Sequence, residues 1–301
     1  MKIKLLKVVV CAIALGMAGV VSSAQTKEIS HDFSSFDAID VDYDFNVNIV
    51  KSRGDYSVNI VVDDILMEYV QTYVKSHTLY ITLDTKSLPS DIKKLYKGRK
   101  SADPVLNATV YAPAEISSIK LAGAAELIVP EEIECKEFEV EISENAKITK
   151  LEVDAASFTF TSSNKATADI VVYADEITLK TDGNSKLEIE QDSQKLVVEA
   201  AGNSDVIIEG EALDTQLKAS LSSNVVLSGK SDVLNITTTG GARVDALNFK
   251  TPECSVDMSG NSKVIEAATE TLHVTMTGGS TLTYDGNPAF DIINVKNSSI
   301  N

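Results

Sequence analysis

The chain has 301 residues, of which 44% are apolar, and a formal net charge of −17 at neutral pH. That apolar content suffices for a substantial core, which excludes a disordered chain, and its Val, Ile and Thr favour strands. A strongly acidic surface repels phosphate backbones and anionic lipid, which argues against nucleic-acid and membrane-surface partners.

At the start of the chain Lys2, Lys4 and Lys7 precede an apolar run at 8–21, and Ser22 and Ala24 offer a small-residue cleavage site before Gln25. This predicts a secretory signal peptide over residues 1–24. Cleavage removes three lysines and no acid, so the net charge moves from −17 to −20. Cys11 lies behind Val8, Val9 and Val10, without the small residue a lipidation site wants before its cysteine, so no lipid anchor is expected. No later segment approaches the roughly 18 uninterrupted apolar residues of a helical membrane span. The expected location is the periplasm, the outer-membrane surface or the extracellular space.

Residues 25–112 read as a strand-rich N-terminal region. Residues 36–50, 56–62 and 78–83 alternate polar and apolar, and 64–70 is the one plausible helical turn. The region is expected to cap or begin a stack of repeats, because the first rung of such a stack must be covered. Within it, residues 87–103 (SLPSDIKKLYKGRKSAD) form a basic loop carrying Lys93, Lys94, Lys97, Arg99 and Lys100. This loop is expected to be mobile and to be a contact site outside the repeats.

Residues 113–285 repeat. Aligned on an apolar start residue, nine copies begin at Ile119, Val140, Phe158, Leu179, Val198, Leu217, Ile236, Val256 and Val274, with spacings of 21, 18, 21, 19, 19, 19, 20 and 18. An apolar residue recurs eight positions on, glycine recurs four positions on in six of the nine copies, and Ser or Ala recurs six positions on in all but one, Asn164. The common form, V-x-A-x-G-N-S-x-V, is a strand, a tight corner and a second strand on the same inward face. Gly-Asn tolerates the positive φ of such a corner. A single copy of about 20 residues cannot bury its own apolar face, but stacked copies make a continuous core. The predicted fold is all-β, a parallel β-helix or solenoid of about nine short rungs, with residues 286–301 as a C-terminal cap or tail. An antiparallel sandwich would show the same alternation, but its turns would vary.

The ordered blocks FDAIDVDYDFNVNIV (36–50), YSVNIVVDDILMEYVQTYV (56–74), HTLYITL (77–83) and YAPAEISSIKLAGAAEL (111–127), together with the GNS repeats after them, resemble the family of putative auto-transporter adhesin head domains, or head GIN domains, of exported Gram-negative proteins. The resemblance implies a β-helix-like fold and a surface or periplasmic location. It brings no catalytic or binding residues with it, and the family's adhesin label is itself an inference.

The residues carry few chemical motifs. His31, His77 and His273 are far apart in sequence and in register, with no paired metal-ligand spacing, so no metal and no cofactor is expected. The pairs Gly240-Gly241 and Gly278-Gly279 lack the tandem acid pattern of calcium-binding rolls, and the GNS triplets lack the lysine and helix of a phosphate loop. Corners of two or three residues leave little from which to build a cleft, and Asp182, Asp205 and Asp257 do not converge. In the chosen alignment, position seven holds Glu126, Lys147, Lys165, Lys186, Asp205, Asn224, Arg243, Lys263 and Thr281. Lys147, Lys165 and Lys186 on consecutive rungs would form a like-charged column that costs stability unless neutralised, either by nearby acids or by an anionic ligand. Candidate ligand-binding residues are therefore Lys147, Lys165 and Lys186, with Lys93, Lys94, Lys97 and Arg99 of the basic loop.

Cys135 and Cys254 remain after cleavage. Their rungs are six apart, on the order of 29 Å at about 4.8 Å per rung, far beyond the roughly 7 Å between Cα atoms that a disulfide allows. No bond between them is expected, and both should sit as small buried hydrophobes, Cys135 in a row with Val153 and Ala174. The expected function is a non-enzymatic exported β-helix module, an adhesin-like or cell-envelope binding or structural protein whose partner is a surface glycan or an envelope or matrix protein. The alternative is a polysaccharide-acting lyase or hydrolase of the same shape. The sequence leaves the oligomeric state open.

Overall fold

The computed structural model describes residues 25–96, 103–113 and 115–301. The expected signal peptide at 1–24 lies outside them, as do Lys97, Arg99 and Lys100 of the basic loop. The described chain is all-β, a parallel β-solenoid of about 10 turns. At about 4.8 Å per rung this makes a rod roughly 50 Å long.

Strand Asp205–Ala219 shows how a rung is made. Val206, Ile208, Ala212, Leu217 and Ala219 are buried, while Asp205, Ile207, Glu209 and Lys218 between them are exposed. The strand lies parallel to Lys186–Ala200 on one side and Asn224–Thr238 on the other, pairing Val198 with Leu217, Ala200 with Ala219 and Val206 with Val225. Each apolar residue therefore stacks on its equivalent in the next rung, and parallel pairing along the stack excludes the sandwich.

One start residue differs from the repeat alignment. Val140 pairs with Phe160 and Phe160 with Leu179, so the third copy starts at Phe160 rather than Phe158. Both phenylalanines are buried, because the segment FTF puts an aromatic at two successive inward positions. The glycine landmark is also missing there, since Asn164 occupies the corner with φ +65°. With Phe160 as the start, Ala166 restores the small residue six positions on.

The corners work as the composition implies. Gly202 has φ +68°, and a Cβ there would lie 2.7 Å from the backbone of Gly183 in the rung below. Buried serines beside the corners are satisfied locally: the Ser204 hydroxyl donates to the Ala201 carbonyl at 2.8 Å and that of Ser223 to Ser220 at 2.9 Å. This is why the row accepts only Ser or Ala: the site is small, and a hydroxyl finds a carbonyl within reach. A second bend occurs at Gly210, where φ is +141° and a Cβ would fall 1.7 Å from the Gln191 carbonyl oxygen.

The N-terminal region extends the stack and then seals it. Ala38–Val41 pairs in parallel with both Ser118–Leu121 and Thr78–Leu83, so the rung at 38–51 lies between two rungs that come after it in sequence. Antiparallel strands close that end: Tyr56–Asp63 pairs with Leu106–Ala112, Thr26–Phe33 with Tyr56–Asp63, and Val70–Lys75 with Thr78–Leu83. Leu66 and Leu88 are buried there, and the terminal-rung residues Leu79, Ile81, Leu106 and Val110 are fully covered. The basic segment is not a free loop over its first half. Its helix Ser90–Leu95 packs through Ile92 and Tyr96 against the core, and the Tyr96 hydroxyl donates to Asp63 Oδ2 at 2.8 Å, an oxygen that also accepts the Val105 amide at 3.3 Å.

The other end is different. Phe290 and Ile292 of the last long strand, Ala289–Val295, continue the core rows of Leu272 and Val274 but are 40% and 55% exposed. Both cysteines are free. Cys254 is buried, whereas Cys135 is only half-buried and pairs with Ala155, not Val153. The same two-residue misalignment at Phe158 accounts for that error.

Candidate binding surface

Outward-pointing residues of successive rungs form columns along the rod. On the strand after the tight corner, one column runs Glu126, Lys147, Thr167, Lys186, Asp205, Asn224, Arg243, Lys263. The three-lysine column expected from the sequence does not exist, because Thr167 and not Lys165 stands between Lys147 and Lys186. Lys165 sits on the corner itself, exposed, where the next rungs carry Asn184 and Asn203. Lys147 and Lys186 each stand beside an acid instead, whereas Arg243 and Lys263 further along stand beside each other. Lys147 Nζ lies 3.0 Å from Glu126 Oε1, and Lys186 stands directly beside Asp205.

The neighbouring column on the same face runs Asp169, Glu188, Ile207, Val226, Asp245, Ile265. Between the two columns lies a shallow groove of about 480 Å³ that crosses five rungs, from Lys147 to Asn224. Its walls offer donors at Lys147 and Lys186, acceptors at Asp169, Glu188 and Asp205, and an apolar strip at Ile207 and Val226. Asp169 and Glu188 stand on adjacent strands, about 5 Å apart by strand spacing. That separation is compatible with paired-carboxylate chemistry, but both are exposed on an open face.

A second depression of about 440 Å³ lies where the cap meets the repeats. Ile49, Ile116, Val129 and Ile133 form its floor, and Glu115, Glu131, Glu132 and Glu134 its rim. Lys93 and Lys94 belong to the cap helix and line neither depression. Among the described residues, no group of three or more His, Cys, Asp or Glu side chains is placed to hold a metal ion, and no helix is long and apolar enough to cross a membrane.

The most unusual single residue lies inside the rod. Glu266 is fully buried in the row that holds Ile170, Ile189, Ile208 and Leu227 in earlier rungs. Its Oε2 accepts the Ala268 amide at 2.7 Å, whereas Oε1 has no partner. Burial pushes this carboxyl up to about 7, against the pull of the Ala268 hydrogen bond. Burial, together with the negative charge of Glu266, also raises the Cys254 thiol. Position ten after the start residue is buried as Val129, Ile170, Ile189, Ile208, Leu227 and Ala246 but is exposed as Lys150 and half-buried as Tyr284, so an acid at Glu266 is marked as buried only by the rungs directly before it.

The profile of the family described as "Putative auto-transporter adhesin, head GIN domain" matches residues 35–170 and again 160–288. No curated protein matches the chain. Among solved structures, a putative adhesin from Parabacteroides merdae is 17% identical, with a TM-score of 0.49 over 92% of this chain and 95% of that one. A putative adhesin from Parabacteroides distasonis is also 17% identical, with a TM-score of 0.49 over 92% of this chain and 97% of the other. A putative lipid binding protein from the same species is 14% identical, with a TM-score of 0.44 over 91% and 95%.

Proposed function

This chain belongs to the putative auto-transporter adhesin, head GIN domain family, and from that premise we propose that it is an exported, non-enzymatic binding module whose side face holds an extended polymer of the cell surface or matrix. The observation that carries this reading is the groove crossing five rungs between Lys147 and Asn224. It presents a hydrogen-bonding group on every rung it crosses, so a polymer laid along the axis meets a polar side chain at each step, though not the same one.

The mixed signs of the two columns select the ligand class. A polyanion would meet Asp169, Glu188 and Asp205, and Lys147 is already engaged by Glu126. A polar, near-neutral glycan suits alternating donors and acceptors better, with Ile207 and Val226 beneath its less polar ring faces. Lys147 and Lys186 are retained as donors. Lys165, on the corner, and Lys93 and Lys94 of the cap helix are not part of this site. The signal pattern at residues 1–24 and the family support export, to the periplasm, the outer-membrane surface or the extracellular space.

A glycan array and an envelope pull-down with the chain from residue 25 onward test the reading. It expects retention of an intact neutral glycan that is weakened by Lys147→Ser with Lys186→Ser. Release of shortened chains from the captured polymer would instead establish the polysaccharide-acting enzyme, and binding indifferent to both substitutions would place the site elsewhere.

A further inference from the structure

The two ends of the rod are built differently. At the N-terminal end, antiparallel strands cover the core, and the outermost of them, Thr26–Phe33, carries Lys27, Glu28, His31 and Asp32, the charged dressing that discourages edge pairing. At the C-terminal end, no described residue lies over the last rung. Strand Ala289–Val295 pairs only with Lys263–Met276, and Ser299–Ile300 only with Thr281–Tyr284, so the backbone on their outer side is unpaired among the described residues. Phe290 and Ile292 continue rows that are buried in the rungs before them, yet are 40% and 55% exposed, and Ile293 beside them is 68% exposed. A solenoid core left open in this way needs a cover.

We propose that the cover is a second copy of this chain, docked end to end through Ala289–Val295 about a two-fold axis. The sequence of the strand is self-complementary. Antiparallel pairing of two copies about an axis between Ile293 and Asn294 sets Ile292 against Val295 of the other copy, and both are inward, in the rows of Val274 and Met276. The same register sets Asp291 against Lys296 of the other copy, on the outer face. Two opposite-charge pairs then flank an apolar centre, the arrangement that favours cross-strand pairing, with no like charges facing each other. Because the other end of each rod is sealed and charged, the contact is isologous and closes as a dimer rather than growing into a filament. The two rods extend in opposite directions from the shared end, so the assembly presents two copies of the side groove, and a polymer reaching both binds with avidity.

Light scattering or sedimentation equilibrium of the chain from residue 25 onward, over a concentration series, tests this. The expected result is a doubling of mass for the wild type, and for Ile293→Asp, whose side chain is too exposed for the change to unfold the rung, a monomer that melts at the temperature of wild type diluted to its monomeric range. Lys296→Asp should weaken the dimer about tenfold, equivalent to about 1.4 kcal/mol, and Asp291→Lys combined with Lys296→Asp should restore it. A wild type that stays monomeric across the series, or species larger than a dimer that grow with concentration, would overturn the proposal. A double charge swap that fails to rescue would overturn the two-fold register.

Discussion

Replacing Glu266 by Gln keeps the shape of the side chain and removes its ionisation. In the folded chain the carboxyl titrates near 7 rather than at its ordinary 4.5, because the group is enclosed by aliphatic rows and has one hydrogen-bond donor for two oxygens. Since burial favours the neutral acid, the folded state still holds this proton at pH values where the unfolded chain has released it. For this group alone, stability is greatest below about pH 4.5, falls as pH rises through about 7, and is level above that. At about 1.4 kcal/mol per pH unit the full loss is about 3 kcal/mol, and relaxation of the surrounding rungs around the charge reduces it to about 2 kcal/mol. Glu266→Gln should therefore be close to neutral in stability at pH 5 and about 2 kcal/mol more stable than wild type at pH 8. Urea melts at the two pH values would measure the difference, and hydrogen exchange would locate it in strands Arg243–Met258 and Lys263–Met276, since a stack of rungs need not unfold as one unit. A stability difference between the two proteins that is the same at pH 5 and pH 8 would refute the assignment of a buried, elevated carboxyl.

Leu221 holds a corner position at φ +59° with its side chain 62% exposed, and Leu221→Gly should raise the urea midpoint by the equivalent of about 1 kcal/mol by relieving left-handed strain without losing packing. Gly210→Ala should cost about 3 kcal/mol or more, or abolish soluble expression, because the new methyl would overlap the Gln191 carbonyl; a melting temperature unchanged from wild type would contradict the bend. Val206→Asp, which places an unpaired carboxylate in the core, should lower stability by several kcal/mol. Thiol titration should find two free cysteines in the chain from residue 25 after denaturation without reductant. In the native state Cys135, half-buried with its thiol pushed up to about 11, should react slowly but ahead of Cys254. A denatured chain without free thiol would contradict the rung separation.

The solenoid is legible in the sequence because each rung solves the same steric problem with the same residues. The positive-φ corner asks for Gly or Asn, the position beside it admits only Ser or Ala, and the inward rows require apolar residues at fixed offsets. Legibility fails where a local substitution hides one of these marks. At Phe158 and Phe160 two inward aromatics fit equally well, the corner glycine is Asn164, and a two-residue error there carries Lys165 into a column it does not occupy and Cys135 into the wrong row. The cap reads as strand-rich, but its topology is hidden, because its rung at 38–51 turns through Tyr43 at φ +75° and stacks between rungs that come later in the chain. No local pattern encodes such an interleaving, since it depends on which strand edges are left to pair. The anchoring of the basic segment is hidden for the same reason, as Asp63, Tyr96 and Val105 meet only once the cap has folded.

The groove between Lys147 and Asn224 is the centre of the functional account, and one comparison addresses it most directly. Once a retained glycan is in hand, its affinity is measured for the wild type, for Lys147→Ser with Lys186→Ser, and for Lys218→Ser, a lysine that points outward from the strand before the tight corner and pairs with Glu199. The account predicts a loss of about tenfold or more for the groove pair and no change for Lys218→Ser. Equal affinities for all three proteins, or a loss confined to Lys218→Ser, would contradict it.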